Sequence, residues 1–447
     1  MVSGIIILSR YVLGANQKYI LSMVLKCNMC KEKERKGTCL GFYKHYIGRK
    51  MVNMNDDLGF DALIELMDSR SETFQDECNT KSTIPLGWKS IINFPKGYAF
   101  TSKYFLKSIY NRGIDVRYEY AYGPGTPFEA EEPRVSEDKL IQKILDKPFI
   151  NDNIQVVYGQ GDVFYKNTGK YQIGFTMLET SGIPAEWVRQ CNEMDEVWVP
   201  SAFNVQTFKD SGVKVPIQIV PLGIDLKYFY RADRVKQNAQ NKKYVFLSVF
   251  EWVNRKAPEL LLQAFDRAFT DRDDVVLICK ITNADPSVNI KHEIEKMGLQ
   301  STGGKIEIFE NLNLTSSEMA ELYRHADCFL LPTHGEGWGM PILEAMACGL
   351  PVIATGWSAQ MDFFNSDIGY PIDVKALIDA DHLNPYYNGF KWALPDEEHF
   401  VHLMRYVYEH REDAKEKGRL ASEEVRSKWT WNNAANVIFN RIKDVVL

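Results

Sequence analysis

From about Ile84 onward the chain repeats one pattern: a short apolar run, a glycine or polar loop, an amphipathic helical segment, and another apolar run. "SIINFPKGYAFTSKYFLKSIYNRGIDVRYEY" reads as strand, glycine loop, helix, a stop at Gly113 and a second strand. The runs "IQVVYG", "YQIGFTML", "EVWVP" and "IQIVPLG" then alternate with "AEWVRQCNEM" and "SAFNVQTFKDSG". Short apolar runs separated by helical segments predict parallel sheets with covering helices. After Gly223-Ile224-Asp225 the pattern lapses into "RADRVKQNAQNKK", a polar linker. It restarts at Tyr244 with "YVFLSVF" and continues through "VVLICKIT", "CFLLPT" and "PVIAT". The expected organisation is an extension over 1–80, a Rossmann-like domain over 84–225 and a linker over 226–241. A second Rossmann-like domain follows over 242–425, then a C-terminal helix over 426–447 that crosses back to the first domain.

A length of 447 residues suits two cores better than one. A net charge of -6 argues against a nucleic-acid partner, which calls for a basic face. The apolar N-terminus is interrupted by Arg10, Asn16, Gln17 and Lys18, so neither a secretory signal nor a membrane span is predicted. Cys279, Cys328 and Cys348 lie inside apolar runs and read as small buried hydrophobes, which fits a reducing, cytoplasmic setting. Cys27, Cys30, Cys39 and His45 leave two readings open: a zinc knuckle, or an extension without a fold of its own.

One stretch, "THGEGWGMPILEAMACGLPVIAT" (333–355), carries chemistry beyond its strand and helix. Pro341 suits a helix start, and Gly349 with Pro351 ends that helix before the next strand. Gly335–Met340 is therefore a glycine loop feeding a helix N-terminus, where exposed amides and the dipole favour an anionic or polyhydroxylated ligand. Glu336 in that loop is a candidate ligand contact. Glu344 is placed in the helix's first turn, where the dipole alone would favour an acid, so its role stays open on physics.

Glu336-x7-Glu344, preceded by "ADCFLLPT" and followed by "AMACGLPVIAT", closely resembles the signature of retaining glycosyltransferases of the GT-B architecture. The resemblance covers roughly 84–447 and implies two Rossmann-like domains facing across a cleft. It implies that a nucleotide sugar is the donor and co-substrate, with no cofactor and no metal. The acceptor would be a glycan, lipid or protein hydroxyl. The amides of Gly337, Trp338, Gly339 and Met340 would meet the sugar and diphosphate, Glu336 the sugar hydroxyls and Glu344 the ribose.

In "SVFEWVNRKAPELLLQAF", Arg255 and Lys256 precede Pro258 at a helix start. On composition this reads as a solvated basic loop; the resemblance makes it a diphosphate clamp, with Lys256 the phosphate-binding lysine. Phe250-Glu251 replaces the glycine–arginine pair many relatives carry, and Arg255 is expected to supply that guanidinium. Gly97 is expected in a loop over the phosphates. Glu179, Thr180, Ser181, Ser201 and Asn204 are further cleft candidates, Ser201 reading first as a helix cap. His334 and Asp362 are weaker cleft candidates. The pairs Asp271/Asp273 and Asp379/Asp381 read as solvated turn acids, the first lying on the wrong edge of a parallel sheet for a ligand.

The resemblance implies retention at the anomeric carbon through a front-face mechanism. Two other readings stay open: a sugar-nucleotide epimerase, and a non-catalytic nucleotide-sugar-binding protein.

Overall fold

The computed structural model describes residues 85–94, 97–151, 153–232, 243–300 and 302–446. The candidate ligands Cys27, Cys30, Cys39 and His45 lie outside the described residues.

The first domain is built from β1 (Pro85–Ser90), α1 (Gly97–Asn111), β2 (Asp115–Tyr120), α2 (Lys139–Leu145), β3 (Ile154–Tyr158), β4 (Tyr171–Phe175), α3 (Ala185–Cys191), β5 (Glu196–Val199), α4 (Ala202–Ser211) and β6 (Ile217–Ile219). Its six strands form one sheet in the order β2-β1-β3-β4-β5-β6. Every pairing in it is parallel. Strand β1 ends at Ser90, so residues 91–94, "IINF", are its exit loop and not, as their apolar run suggested, the strand itself. Gly87 disguised the true strand: a Cβ there would meet Gln155 and Phe149 at 2.8 and 2.9 Å, so close packing requires a residue that strands usually avoid.

The second domain contains β7 (Tyr244–Glu251), α5 (Pro258–Ala268), β8 (Val275–Thr282), α6 (Ile290–Lys296), β9 (Lys305–Glu310), α7 (Ser316–His325), β10 (Cys328–Leu331), α8 (Met340–Ala347), β11 (Val352–Thr355) and β12 (Tyr370–Ile372). Its sheet runs β12-β11-β10-β7-β8-β9 and is again parallel. Strands β7 to β11 are mostly buried, β9 at the sheet edge excepted. Burial on both faces explains why they read as continuous apolar runs rather than alternating ones.

In each sheet the strand order reverses once, between β1 and β3 in the first and between β7 and β10 in the second. At such a reversal the loops leaving the carboxyl ends of the two strands diverge and open a crevice. The loops after β7 and β10 hold Arg255-Lys256 and Glu336.

A hairpin, β13 (Val374–Asp379) and β14 (Lys391–Pro395), follows the second sheet as a separate antiparallel pair. Asp379 thus ends a strand rather than occupying a loop. Helices α9 (Glu397–Glu409), α10 (Arg411–Lys428) and α11 (Trp431–Val446) complete the chain. The break at Trp429-Thr430 falls a few residues beyond the 425/426 boundary read from sequence. Helix α11 packs on α1 of the first domain: Trp431 stacks on Tyr104 with centroids 5.2 Å apart, and meets Phe105 edge-on at 5.1 Å. Arg441 pairs with the fully buried Glu196 at 2.5 Å. Where the chain crosses, the backbone of Gly223 runs against that of Thr430 and Trp431 so closely that a Cβ would collide.

Candidate functional site

The site begins with two abrupt backbone turns. After β7 a single 3-10 turn, Asn254–Lys256, leads into Ala257, whose φ of 50° is left-handed although it carries a side chain. Such a conformation costs energy and persists only where surroundings enforce it. Here the backbone oxygen of Arg255 accepts bonds from His334 N at 2.8 Å and Thr333 Oγ1 at 2.9 Å, pinning the turn to the loop after β10. That second loop ends at Gly339, φ 102°, which opens helix α8 with Pro341 in its first turn. Gly337 is needed for approach: a Cβ would lie 2.9 Å from Met177 of the first domain.

These turns bring Arg255, Lys256 and Glu336 together. Lys256 Nζ donates to Glu336 Oε1 at 2.6 Å, and Arg255 Nη1 stands 3.5 Å from Oε2. The backbone N–H of Glu336 is taken by Ser358 Oγ at 2.8 Å. Glu336 is 5% exposed and Lys256 8%. Burial alone would raise the Glu336 carboxyl, but Lys256 and then Arg255 outweigh it and hold it below its ordinary range. Burial pulls the Lys256 ammonium down, against the attraction of Glu336. A buried corner of this kind contains charge that an anionic ligand can recruit without first ordering the side chains.

Glu344 has a different setting. The helix starts at Met340, so Glu344 lies in its second turn and not its first, and the dipole does not account for it. Its partner is Tyr323 on α7, whose hydroxyl donates to Oε2 at 2.8 Å. Burial pushes its carboxyl up to about 7, with Tyr323 and Lys280 opposing only in part.

The remaining candidates divide. The Trp338 ring is buried against Phe363 and Trp429, which makes its side chain part of the packing. Gly97 opens helix α1, and a Cβ there meets no atom within 4 Å, so protein packing alone does not require glycine. Ser201 caps α4 by accepting from Asn204 N at 3.1 Å. Asp362 reaches the same helix start from the other domain, accepting from Ala202 N at 2.8 Å, so its carboxylate serves a domain contact. His334 stacks on Trp392 and its Nδ1 lies 2.6 Å from the Ala393 carbonyl, an acceptor only, so Nδ1 carries the proton. Burial lowers its pKa, which keeps the ring neutral. Asp273 accepts from Thr270 N and pairs with Arg405, a structural role. Among the described residues no group of three or more His, Cys, Asp or Glu could hold a metal ion.

Sequence reasoning did not find Tyr323, Ser358, Lys280 or Tyr387 as site residues. Glu179, a cleft candidate there, proves to be an Arg255 partner at 2.7 Å.

Residues 229–419 match the family model described as "Glycosyl transferases group 1". Among curated proteins, a D-inositol 3-phosphate glycosyltransferase of Segniliparus rotundus is 28% identical over 146 residues, covering 31% of this chain and 31% of that one. An alpha-monoglucosyldiacylglycerol synthase of Streptococcus pneumoniae is 29% identical over 175 residues, covering 37% and 38%. The chain thus spans about a third of the length of these two relatives. A sucrose-phosphate synthase from Thermosynechococcus elongatus superimposes with a TM-score of 0.60 at 15% identity, over 81% of this chain and 99% of that one. Anabaena HepE, solved with UDP and glucose, gives 0.57 at 12% identity over 81% and 100%. At such identities the likeness bears on the fold, which is GT-B.

Proposed function

We propose that this chain, which carries a glycosyl transferases group 1 domain within a GT-B fold, transfers a sugar from a nucleotide-sugar donor to an acceptor hydroxyl. The observation that carries this reading is the Arg255–Lys256–Glu336 corner at the reversal point of the second sheet. Loss of a nucleoside diphosphate leaves negative charge on the departing phosphate. Arg255, Lys256 and the amides of Gly337, Gly339 and Met340 are the groups available to stabilise it, so the step is drawn without a metal. Glu336 would exchange its bond to Lys256 for sugar hydroxyls as the diphosphate takes the ammonium. Glu344, when ionised, would accept from the ribose hydroxyls, a task suited to a carboxylate with one oxygen already held by Tyr323. Retention, with the leaving phosphate assisting acceptor deprotonation on the same face of the sugar, completes the reading; among the described residues no carboxylate in the corner is free of cation partners to act as a covalent nucleophile, Glu336 being paired with Lys256 and Arg255.

The acceptor would enter from the first domain, whose Glu179 loop lies against Gly335 and Gly337. A cytoplasmic setting is supported by four free buried cysteines, Cys191, Cys279, Cys328 and Cys348. No helix of the described residues is long and apolar enough to cross a membrane.

The test is product analysis with UDP-, GDP- and ADP-sugars, with and without sugar and lipid acceptors. Retained-configuration glycoside, dependent on acceptor, is expected. Epimerised sugar in the absence of acceptor would replace the transferase reading with an epimerase. A bound donor that is never consumed would make the protein a sensor.

A further inference from the structure

Arg255 owes its orientation to three elements outside its own loop: the loop after β10, the loop after β4 and the β13–β14 connection. Glu179, on the loop after β4 of the first domain, forms an ion pair with Arg255, its Oε1 2.7 Å from Nε. Tyr387, in the connection between β13 and β14, donates its hydroxyl to that same oxygen at 2.6 Å. On the same guanidinium, Nη1 donates to the Gly335 carbonyl at 2.7 Å and lies 3.5 Å from Glu336 Oε2. The side chains of Arg255 and Glu179 are only 16% and 12% exposed, so solvent screening of the pair is weak. The hairpin connection is itself tied to the Glu179 loop. Ser181 N donates to Lys391 O at 2.8 Å, and Lys391 N donates to Ser181 Oγ at 2.9 Å. Tyr386, the neighbour of Tyr387, donates to Asp162 Oδ2 at 2.9 Å. Burial and the nearby Glu179 push the Tyr387 phenol far above its ordinary range, so it remains a donor.

An arginine on a three-residue turn has many rotamers, and its guanidinium grips a phosphate well only when the planar fork is aimed. Among the described residues the aiming comes from outside the Arg255 loop: its guanidinium pairs with Glu179 of the first domain and with the loop after β10, and Tyr387 of the hairpin connection joins through Glu179. We propose that Glu179 and Tyr387 are positioning residues of the diphosphate grip. Glu179 orients the Arg255 guanidinium from across the cleft, and Tyr387 orients Glu179. The inference deepens the transferase reading and rests on it. Its consequence is that the grip is complete only when both the first domain's loop and the hairpin are seated.

The test compares Glu179→Ala, Glu179→Gln, Tyr387→Phe and Glu179→Ala/Tyr387→Phe with the wild type, by donor kinetics and by the NMR signal of Arg255 Nε–H. That signal is assigned by its absence in Arg255→Lys. Glu179→Ala should lower kcat about 100-fold, the scale of a misplaced reacting group. Glu179→Gln keeps an acceptor oxygen in place and should stay within about 5-fold of wild type. Tyr387→Phe should cost about 3- to 10-fold, and nothing further on top of Glu179→Ala. The Nε–H proton should exchange slowly in wild type and Glu179→Gln, and become fast in Glu179→Ala. Activity of Glu179→Ala within 2-fold of wild type, full additivity of the two changes, or an unchanged Nε–H signal in Glu179→Ala would each overturn the inference. If Glu179→Ala fails to fold, the Glu179→Gln and Tyr387→Phe values carry the same decision. If the wild type turns over no nucleotide sugar, the transferase reading fails, and the NMR signal alone still decides the positioning.

Discussion

Glu336 and Glu344 are eight residues apart on one loop-helix unit and nearly equally buried, at 5% and 9% exposed. Their electrostatic settings are nonetheless opposite. Lys256 and Arg255 hold the first carboxyl below its ordinary range, while burial lifts the second to about 7. Their own positions on the chain do not produce this difference. It comes from what other elements bring: two cations from the loop after β7, against a phenol from α7. The lesson is that a pair of acids in one motif acquires opposite proton affinities from its partners, one held ionised by cations, the other kept partly protonated by burial.

The comparison breaks most visibly at Lys256. Lys256→Met should leave Glu336 as a buried, poorly compensated charge and destabilise the protein by about 3–5 kcal/mol, read as a fall in chemical-denaturation midpoint. The matching change at the other acid, Tyr323→Phe, should cost only about 1 kcal/mol, because it removes a single neutral-donor bond. A loss at Tyr323→Phe equal to that at Lys256→Met would erase the distinction.

Activity should divide in the same direction. Glu336→Ala is expected to lower kcat/KM on the order of 10²- to 10³-fold, chiefly in kcat, whereas Glu344→Ala should act mainly on donor KM. Equal kcat losses from both would assign the acids a shared task.

The pH dependence sharpens the contrast further. Glu344 binds its proton more tightly folded than unfolded, so its contribution to stability is fully present below the unfolded value near 4.5 and is lost as pH rises through about 7. That loss is on the order of 3 kcal/mol. Glu344→Gln should abolish the slope between those pH values in the ligand-free protein. Glu336, being depressed, works in the opposite sense: its contribution is present above its unfolded value and is lost on acidification through the lower folded one. The smallest expected effect is proton release on donor binding near pH 6.5, as Glu344 ionises to accept ribose. Calorimetry in buffers of different ionisation enthalpy reads it directly.

Much of this was visible in the sequence, unevenly. The parallel architecture follows from short apolar runs such as "VVLICKIT", and the glycine loop from residues whose backbone demands are local. The Arg255-Lys256 turn was legible because Pro258 marks a helix start behind it. The partners were not: Ser358 is 22 residues from Glu336, Tyr323 is 21 from Glu344 and Tyr387 is 208 from Glu179. Tertiary folding alone joins them, and no periodicity records it. The hairpin escaped for a related reason. Leu377 in β13 is 45% exposed, so the strand lacks a clean buried face, and its connection reaches bonds on the other domain. Glu344 was misplaced in the first helical turn because the start could be read only from Pro341, while Gly339 with its left-handed φ begins the helix earlier.

The central claim is that the Arg255–Lys256–Glu336 corner holds the donor's diphosphate. Isothermal titration of UDP, GDP and ADP into wild type, Arg255→Ala and Lys256→Ala tests it most directly. The account predicts that at least one nucleoside diphosphate binds the wild type, and that each substitution weakens it by at least about 10-fold. Equal affinity in all three proteins would contradict it.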